Sequence, residues 1–383
     1  MKSKSFFWAV VLSAVCAITA RSENSDALLL VANKGDHTLA IINPATGAQL
    51  AAVAEDGTTG HEVVASADGR LAFVPIYGNS GVGNAGTDGS LIRVIDLEKQ
   101  AVIGTVDFGK GIRPHCAVIG PKNKLLYVTT ELENSISVID PKTFKLIGAI
   151  PTGQTESHML AISSDGKTGY TANVAPGTVS VLDMEKMAVR KIIPICKTTQ
   201  RICISPDDKW VFTADQTKPQ MAVIDTAKME VAKWIELPGV GYGAAVTPDG
   251  RWLVVAMSGV SQVGIVDLQT MKIAHVLDAP KTPQEVLISP DGAFAYVSCS
   301  ASGQVAVIDL QKFANGICRH RRICVQYSQN TQQDRCSIGC DQQLLAVGNF
   351  LESGRGPIIS GFFSKGFHGA PLIIRDTQCQ GRR

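Results

Sequence analysis

The chain repeats itself about every 42 residues, and that period limits what it can fold into. A branched apolar residue followed by Asp recurs as Ile95-Asp96, Ile139-Asp140, Leu182-Asp183, Ile224-Asp225, Val266-Asp267 and Ile308-Asp309, with Ile42-Asn43 as a weaker first copy. Successive copies stand 53, 44, 43, 42, 42 and 42 residues apart. Between them lies a turn marker: Asp68-Gly69, Asp165-Gly166, Asp207-Asp208, Asp249-Gly250 and Asp291-Gly292, with Lys122-Asn123 as the degenerate member. A unit this short cannot bury its apolar face alone, so consecutive units must stack.

Each period reads as strands. From Met159 to Asp183 there is an apolar run, an Asp-Gly turn, Tyr170-Thr171-Ala172-Asn173, and then Thr178-Val179-Ser180-Val181-Leu182. Asp-Gly between two such runs is a hairpin signal, because both residues accept the positive φ of the turn. A fourth run, such as Leu146-Ile147-Gly148-Ala149-Ile150, follows each apolar-Asp marker. Four short strands per period, with no helical periodicity, predict an all-β, seven-bladed β-propeller. Six full repeats and an N-terminal half blade are readable.

The repeat resembles the YVTN family of β-propellers, on Leu126-Tyr127-Val128-Thr129, Ser135-Ile136-Ser137-Val138-Ile139-Asp140 and Ser289-Pro290-Asp291-Gly292. The likeness covers residues 27 to 313. It implies a secreted or cell-surface module, in a family that spans binding proteins, hydrolytic relatives and redox partners. It also implies that a C-terminal segment completes the opening blade and closes the ring.

Residues 1–20 read as a secretory signal: Lys2 and Lys4, an apolar stretch over 6–18, and cleavage after Ala20 or Ala17. The apolar stretch is too short to cross a bilayer core of ~30 Å at 1.5 Å per residue. Val15 argues against a lipid anchor on Cys16. A periplasmic or secreted location follows, with no membrane span after signal removal. The formal net charge of +2 provides no basic field, so nucleic acid is not an expected partner.

The propeller is assigned to 21–313. Residues 314–383 carry nine Lys/Arg against four Asp/Glu and half of the ten cysteines, with no trace of the period. They read as a Cys-rich basic tail, disordered or out of register. Zinc ligation by Cys318, His320, Cys324, Cys336 and Cys340 is the weaker alternative, since only Cys336-x₃-Cys340 has a usual ligand spacing. In the body, Cys196 and Cys203 are the sequence-close pair for a disulfide, and buried free thiols are expected elsewhere.

Aligned on the turn marker, the periods place a polar residue at one position: His61, His115, His158, Gln200, Tyr242 and Gln284. Each falls at the start of an innermost strand, so radial repetition gathers them at the mouth of the central channel. Such a ring suits a small ligand or a protein partner. Arg113 and Arg201, at the same level, favour a carboxylate or phosphate. The plain alternative is that each polar residue bonds the backbone of the next blade. No cofactor is predicted; metal on His61, His115 and His158, or haem, stands as the enzymatic variant, alongside lactone-type hydrolysis. Glu62, Glu131, Glu156 and Glu285 are the available acids or bases. The long loop of the 53-residue period, with Gly78, Gly81, Gly83, Gly86 and Gly89, is expected to be flexible, on the histidine face, as a partial lid or a plain insertion. Its Gly-x-Gly-x-x-Gly is not a dinucleotide fingerprint, because a strand and not a helix follows.

Overall fold

The computed structural model describes residues 27–318 and Ile358–Ser360. They form seven four-stranded sheets, the seven blades of a propeller. Blade 4 shows the pattern: Ser157–Ile162 innermost, then Thr168–Asn173, Thr178–Asp183 and Ala188–Pro194, each antiparallel to the last. Among the described residues no helix is long and apolar enough to cross a membrane.

The repeated markers are turn chemistry. In five blades a hydroxyl (Ser66, Ser163, Ser205, Thr247 or Ser289) donates to the Asp two residues on, at 2.5–2.6 Å. The same oxygen accepts the backbone N–H five residues on, at 2.8–3.0 Å, so one side chain ties both ends of the hairpin. Blade 3 has Gly120 in place of that hydroxyl residue, and Asn123 Oδ1 takes over by accepting the Leu125 N–H at 3.1 Å. The second marker closes the turn into each outer strand. Asp96, Asp140, Asp183, Asp225, Asp267 and Asp309 accept N–H groups two or three residues on at 2.8–3.2 Å, and Asn43 does the same in blade 1.

Second and third strands are buried almost throughout, while outer strands keep a single core-facing residue, such as Val53, Val106, Ile150, Ile193 or Ile235. The core therefore lies between blades. Leu29, Val31, Ala40 and Ile42 of blade 1 pack with Leu287, Tyr296 and Val305 of blade 7, which closes the circle through side chains.

Closure by backbone departs from the other blades. The innermost seat of blade 1 holds Ile358–Ser360, paired parallel to Leu28–Asn33 over three residues, whereas the other six inner strands are antiparallel to their neighbours. The last blade also runs past Phe313: Ala314–Cys318 pairs with Gln304–Asp309 as its outer strand. Residues 1–20, read above as a signal, with Cys16, and the remaining tail cysteines with His320 lie outside the described residues.

The Cys196–Cys203 disulfide is not formed. Both are free, because Cys203 is buried in the inner strand of blade 5 while the Cys196 thiol contacts the Thr198 carbonyl at 3.1 Å. Cys116 and Cys299 are likewise buried free thiols.

One seam carries a stability prediction. Between blades 1 and 2 the buried Glu55 accepts the Gly60 N–H at 3.0 Å through one carboxyl oxygen, and its other oxygen has no partner among the described residues. Burial pushes this carboxyl up from 4.5 to about 7. A folded-state value above the unfolded one gives stability that is full below pH 4.5 and lost as pH rises through 7. Glu55→Gln removes that titration. Between pH 4.5 and 8 the parent should lose roughly 2–3 kcal/mol more than the variant, at ~1.36 kcal/mol per tenfold. Urea unfolding at the two pH values checks this; parallel losses contradict it.

Candidate functional site

Six inner strands begin with the aligned polar residues, and the fold brings most of them into contact. His61 precedes Val64–Ala65, His115 lies in Pro114–Ile119, and His158 lies in Ser157–Ile162. The His115 and His158 rings sit 3.6 Å apart between centroids, and His61 meets His115 edge-on at 5.2 Å. Gln200, just before Ile202–Ile204, places its amide nitrogen 3.0 Å from His158 Nε2. At the other end, Lys34 Nζ contacts His61 Nε2. A continuous belt thus runs from blade 1 to blade 5: Lys34, His61, His115, His158, Gln200.

The three imidazoles are buried, and burial is the main cause that holds each well below the usual histidine range. For His61, Lys34 is the next cause; for His158, it is Arg201. The three imidazoles are therefore neutral at physiological pH. His115 Nδ1 lies 2.7 Å from Glu62 Oε1, with both side chains fully buried. Burial pushes the Glu62 carboxyl well up, against the attraction of Arg201.

The next position along each inner strand forms a second column: Glu62, Cys116, Met159, Arg201, Gly243 and Glu285. Here a charge crosses a blade. Arg201 Nη1 of blade 5 bonds Glu285 Oε2 of blade 7 at 2.9 Å, with side chains 2% and 9% exposed. The blade between contributes Gly243, where a Cβ would stand 2.2 Å from the Gln284 carbonyl and 2.6 Å from Glu285 Oε2. Only the missing side chain leaves room for the pair. Tyr242 covers the guanidinium, its ring centre 5.0 Å from Cζ. Burial raises Glu285 to about 7, opposed by Arg201.

The glycine-rich loop is tied down. Arg113 Nε bonds Asp88 at 2.7 Å, Nη1 bonds Glu131 at 2.9 Å and the Gly81 carbonyl at 3.1 Å, and Nη2 bonds the Asn84 carbonyl at 2.6 Å. Arg113 is thus a clamp for this loop, contrary to its expected role as an anion anchor. The glycines serve close approach: a Cβ on Gly89 would lie 1.7 Å from the Ile76 carbonyl, and one on Gly78, at φ +102°, 2.0 Å from the Thr87 carbonyl. Gly86 packs on Ser80, Gly81 stands near Asn84, and Gly83 reaches Glu156 of blade 4. The clamp connects to the belt, because Glu131 also holds the Tyr77 hydroxyl and Tyr77 stacks on His61 at 4.4 Å.

Among the described residues no group of three or more His, Cys, Asp and Glu is arranged to hold a metal ion. His115 and His158 lie face to face at a tilt, while His61 meets His115 edge-on.

A family model described as "Domain of unknown function (DUF5074)" matches residues 115–307, just over half of the 383. The chain belongs to that family. The match runs from the inner strand of blade 3 to the third strand of blade 7, so Lys34, His61 and the clamped loop of this DUF5074 chain fall outside it. No curated protein matches its sequence. Among solved structures it is similar to Kuenenia stuttgartiensis hydrazine synthase, with TM-score 0.64 and 20% identity over 74% of this chain and 93% of that one. At that identity the likeness is one of fold.

In this DUF5074 chain, then, His61, His115, His158 and Gln200 come together as one belt, and Arg201 with Tyr242 forms a second contact group. Gln284 is buried beside it, its carbonyl accepting the Gly243 N–H at 2.7 Å. Lys34, Tyr77 and Gly243 were not legible as members. Lys34 lies in a hairpin turn, Tyr77 at a strand end, and Gly243 one residue beyond the aligned column.

Proposed function

We propose that this chain is an exported binding propeller of the YVTN kind that takes a small polar ligand at the channel end bearing the histidine belt. One observation carries the reading: a continuous run of polar side chains across five blades, in which three buried, neutral imidazoles are flanked by half-buried Lys34 and Gln200, with half-buried Tyr242 at the same position of blade 6. A wholly structural set would need only backbone partners, as Thr129 has on the His158 carbonyl at 2.9 Å. Here side chains of neighbouring blades meet one another instead. Side chains this deeply buried suit a small molecule better than a protein surface. The signal-like first residues support export, which cell fractionation and N-terminal sequencing test; full-length protein retained in the cytoplasm contradicts it.

The binding test is thermal denaturation against a panel of small polar compounds. A ligand at a hundred times its Kd should stabilise the protein by about 2.7 kcal/mol, and Gln200→Ala/Tyr242→Ala should abolish most of that gain. If every stabilising compound acts equally on parent and variant, the ligand site is elsewhere.

A second reading, a propeller enzyme of the lactone-hydrolase or metal- or haem-linked kind, draws on the Glu62–His115 contact of 2.7 Å, in which a buried carboxylate orients an imidazole. Turnover of a lactone panel, or a haem band or stoichiometric metal in purified protein, supports it; none of these leaves binding alone.

A further inference from the structure

Among the described residues, Nδ1 of His61 and Nδ1 of His158 have no hydrogen-bond partner, and the residues around them fix what they offer. A lysine ammonium only donates hydrogen bonds, so His61 Nε2 accepts from Lys34. A neutral imidazole that accepts at Nε2 carries its proton at Nδ1. His158 follows the same logic, since the Gln200 amide nitrogen donates to its Nε2 at 3.0 Å. Both rings therefore present an Nδ1–H, and neither Nδ1 has a hydrogen-bond partner among the described residues. The residues are only 3% and 0% exposed. Two buried, unanswered N–H donors on rings that flank His115 call for an acceptor.

We propose that this acceptor is a small oxyanion, a carboxylate or phosphate group whose oxygens take the Nδ1–H of His61 and of His158 in the field of Lys34 and Arg201. The inference rests on the ligand-binding reading above and names the chemistry of the ligand. The surroundings favour negative charge. Lys34 and Arg201 act on all three imidazoles as positive neighbours. Of the two nearby carboxyls, Glu285 is committed to Arg201 at 2.9 Å and Glu62 is pushed by burial toward its neutral form. Two N–H donors beside the Lys34 ammonium bond a charged acceptor more strongly than a neutral one.

Calorimetric titration of the purified protein with sodium acetate and, separately, sodium phosphate tests this against matched sodium chloride, with glucose as the neutral probe. Two substitutions at one position make the test specific. Asn at position 158 puts an amide N–H where Nδ1–H stands, and Gln puts its amide near the Nε2 position. The expected result is binding of acetate or phosphate that His158→Gln weakens roughly tenfold or more, while His158→Asn stays within about threefold of the parent. Acetate alone points to a planar carboxylate, and phosphate alone to a tetrahedral anion. Melting curves of both variants confirm that they are folded, and His61→Asn against His61→Gln repeats the comparison should either position-158 variant unfold. Glucose binding with neither anion bound overturns the oxyanion assignment and leaves the channel-end reading standing. Anion binding equal in the Gln and Asn variants overturns it too. No binding of any probe by folded protein also overturns the oxyanion assignment, and the rim-variant panel then decides whether a ligand site remains.

Discussion

Replacing Glu285 by Leu alone should cost the fold about 3–5 kcal/mol, because it strands the Arg201 guanidinium without its carboxylate in a buried channel. The pair is 2.9 Å long and its members are nearly inaccessible, so water cannot take the place of the lost partner. Arg201→Met alone should cost a similar amount, moderated by protonation of Glu285, whose carboxyl already stands at about 7. The double variant Arg201→Met/Glu285→Leu should recover most of the loss, since apolar residues of similar size replace a pair whose desolvation nearly cancels its attraction. Urea denaturation of the four proteins measures the coupling. Additive losses would mean that the two side chains do not face each other across blade 6.

Gly243→Ala should be severely damaging for a single added methyl group. The new carbon would stand 2.2 Å from a backbone carbonyl of blade 7 and 2.6 Å from the Glu285 carboxyl. Backbone cannot rotate away as a side-chain tip can, so blade 6 must move outward. Overpacking typically costs about 1–3 kcal/mol, and displacement of the ion pair adds to it, for a total of roughly 4 kcal/mol or more. Gly259→Ala is the control, since nothing lies within 4 Å of its added Cβ. Equal melting temperatures for the two variants would contradict the packing of blade 6 between Arg201 and Glu285.

The sequence showed most where one chemical task recurs. Each hairpin needs a hydroxyl and an Asp to bind its turn, and each outer turn needs an Asp to accept its N–H groups. Those residues repeat at the spacing of a blade, so the architecture was readable. The aligned column was readable for the same reason, because its members share one offset from the turn. What was not readable depends on non-repeating contacts. Gly243 matters for the space it leaves between two residues 84 positions apart. Arg113 looked like an anion anchor because its charge was visible and Asp88, Glu131 and the loop carbonyls around it were not. The loop glycines suggested freedom, yet Gly78 and Gly89 are required by backbone atoms within 2.0 Å of where a Cβ would stand. That a C-terminal segment completes blade 1 was implied by the family resemblance alone; nothing marked Ile358–Ser360 as that segment, since a three-residue parallel pairing has no turn to announce it.

The most direct measurement follows the imidazole protons of the chain by NMR through a pH titration. Seven histidines are present, and three of them, His61, His115 and His158, should stay neutral well below 6.5, because burial removes them from water. His→Gln substitutions assign the resonances. Three non-titrating rings that vanish with those substitutions are the expected result; ordinary titration near 6.5 by all seven would mean that the blades do not gather these residues at one end of the channel.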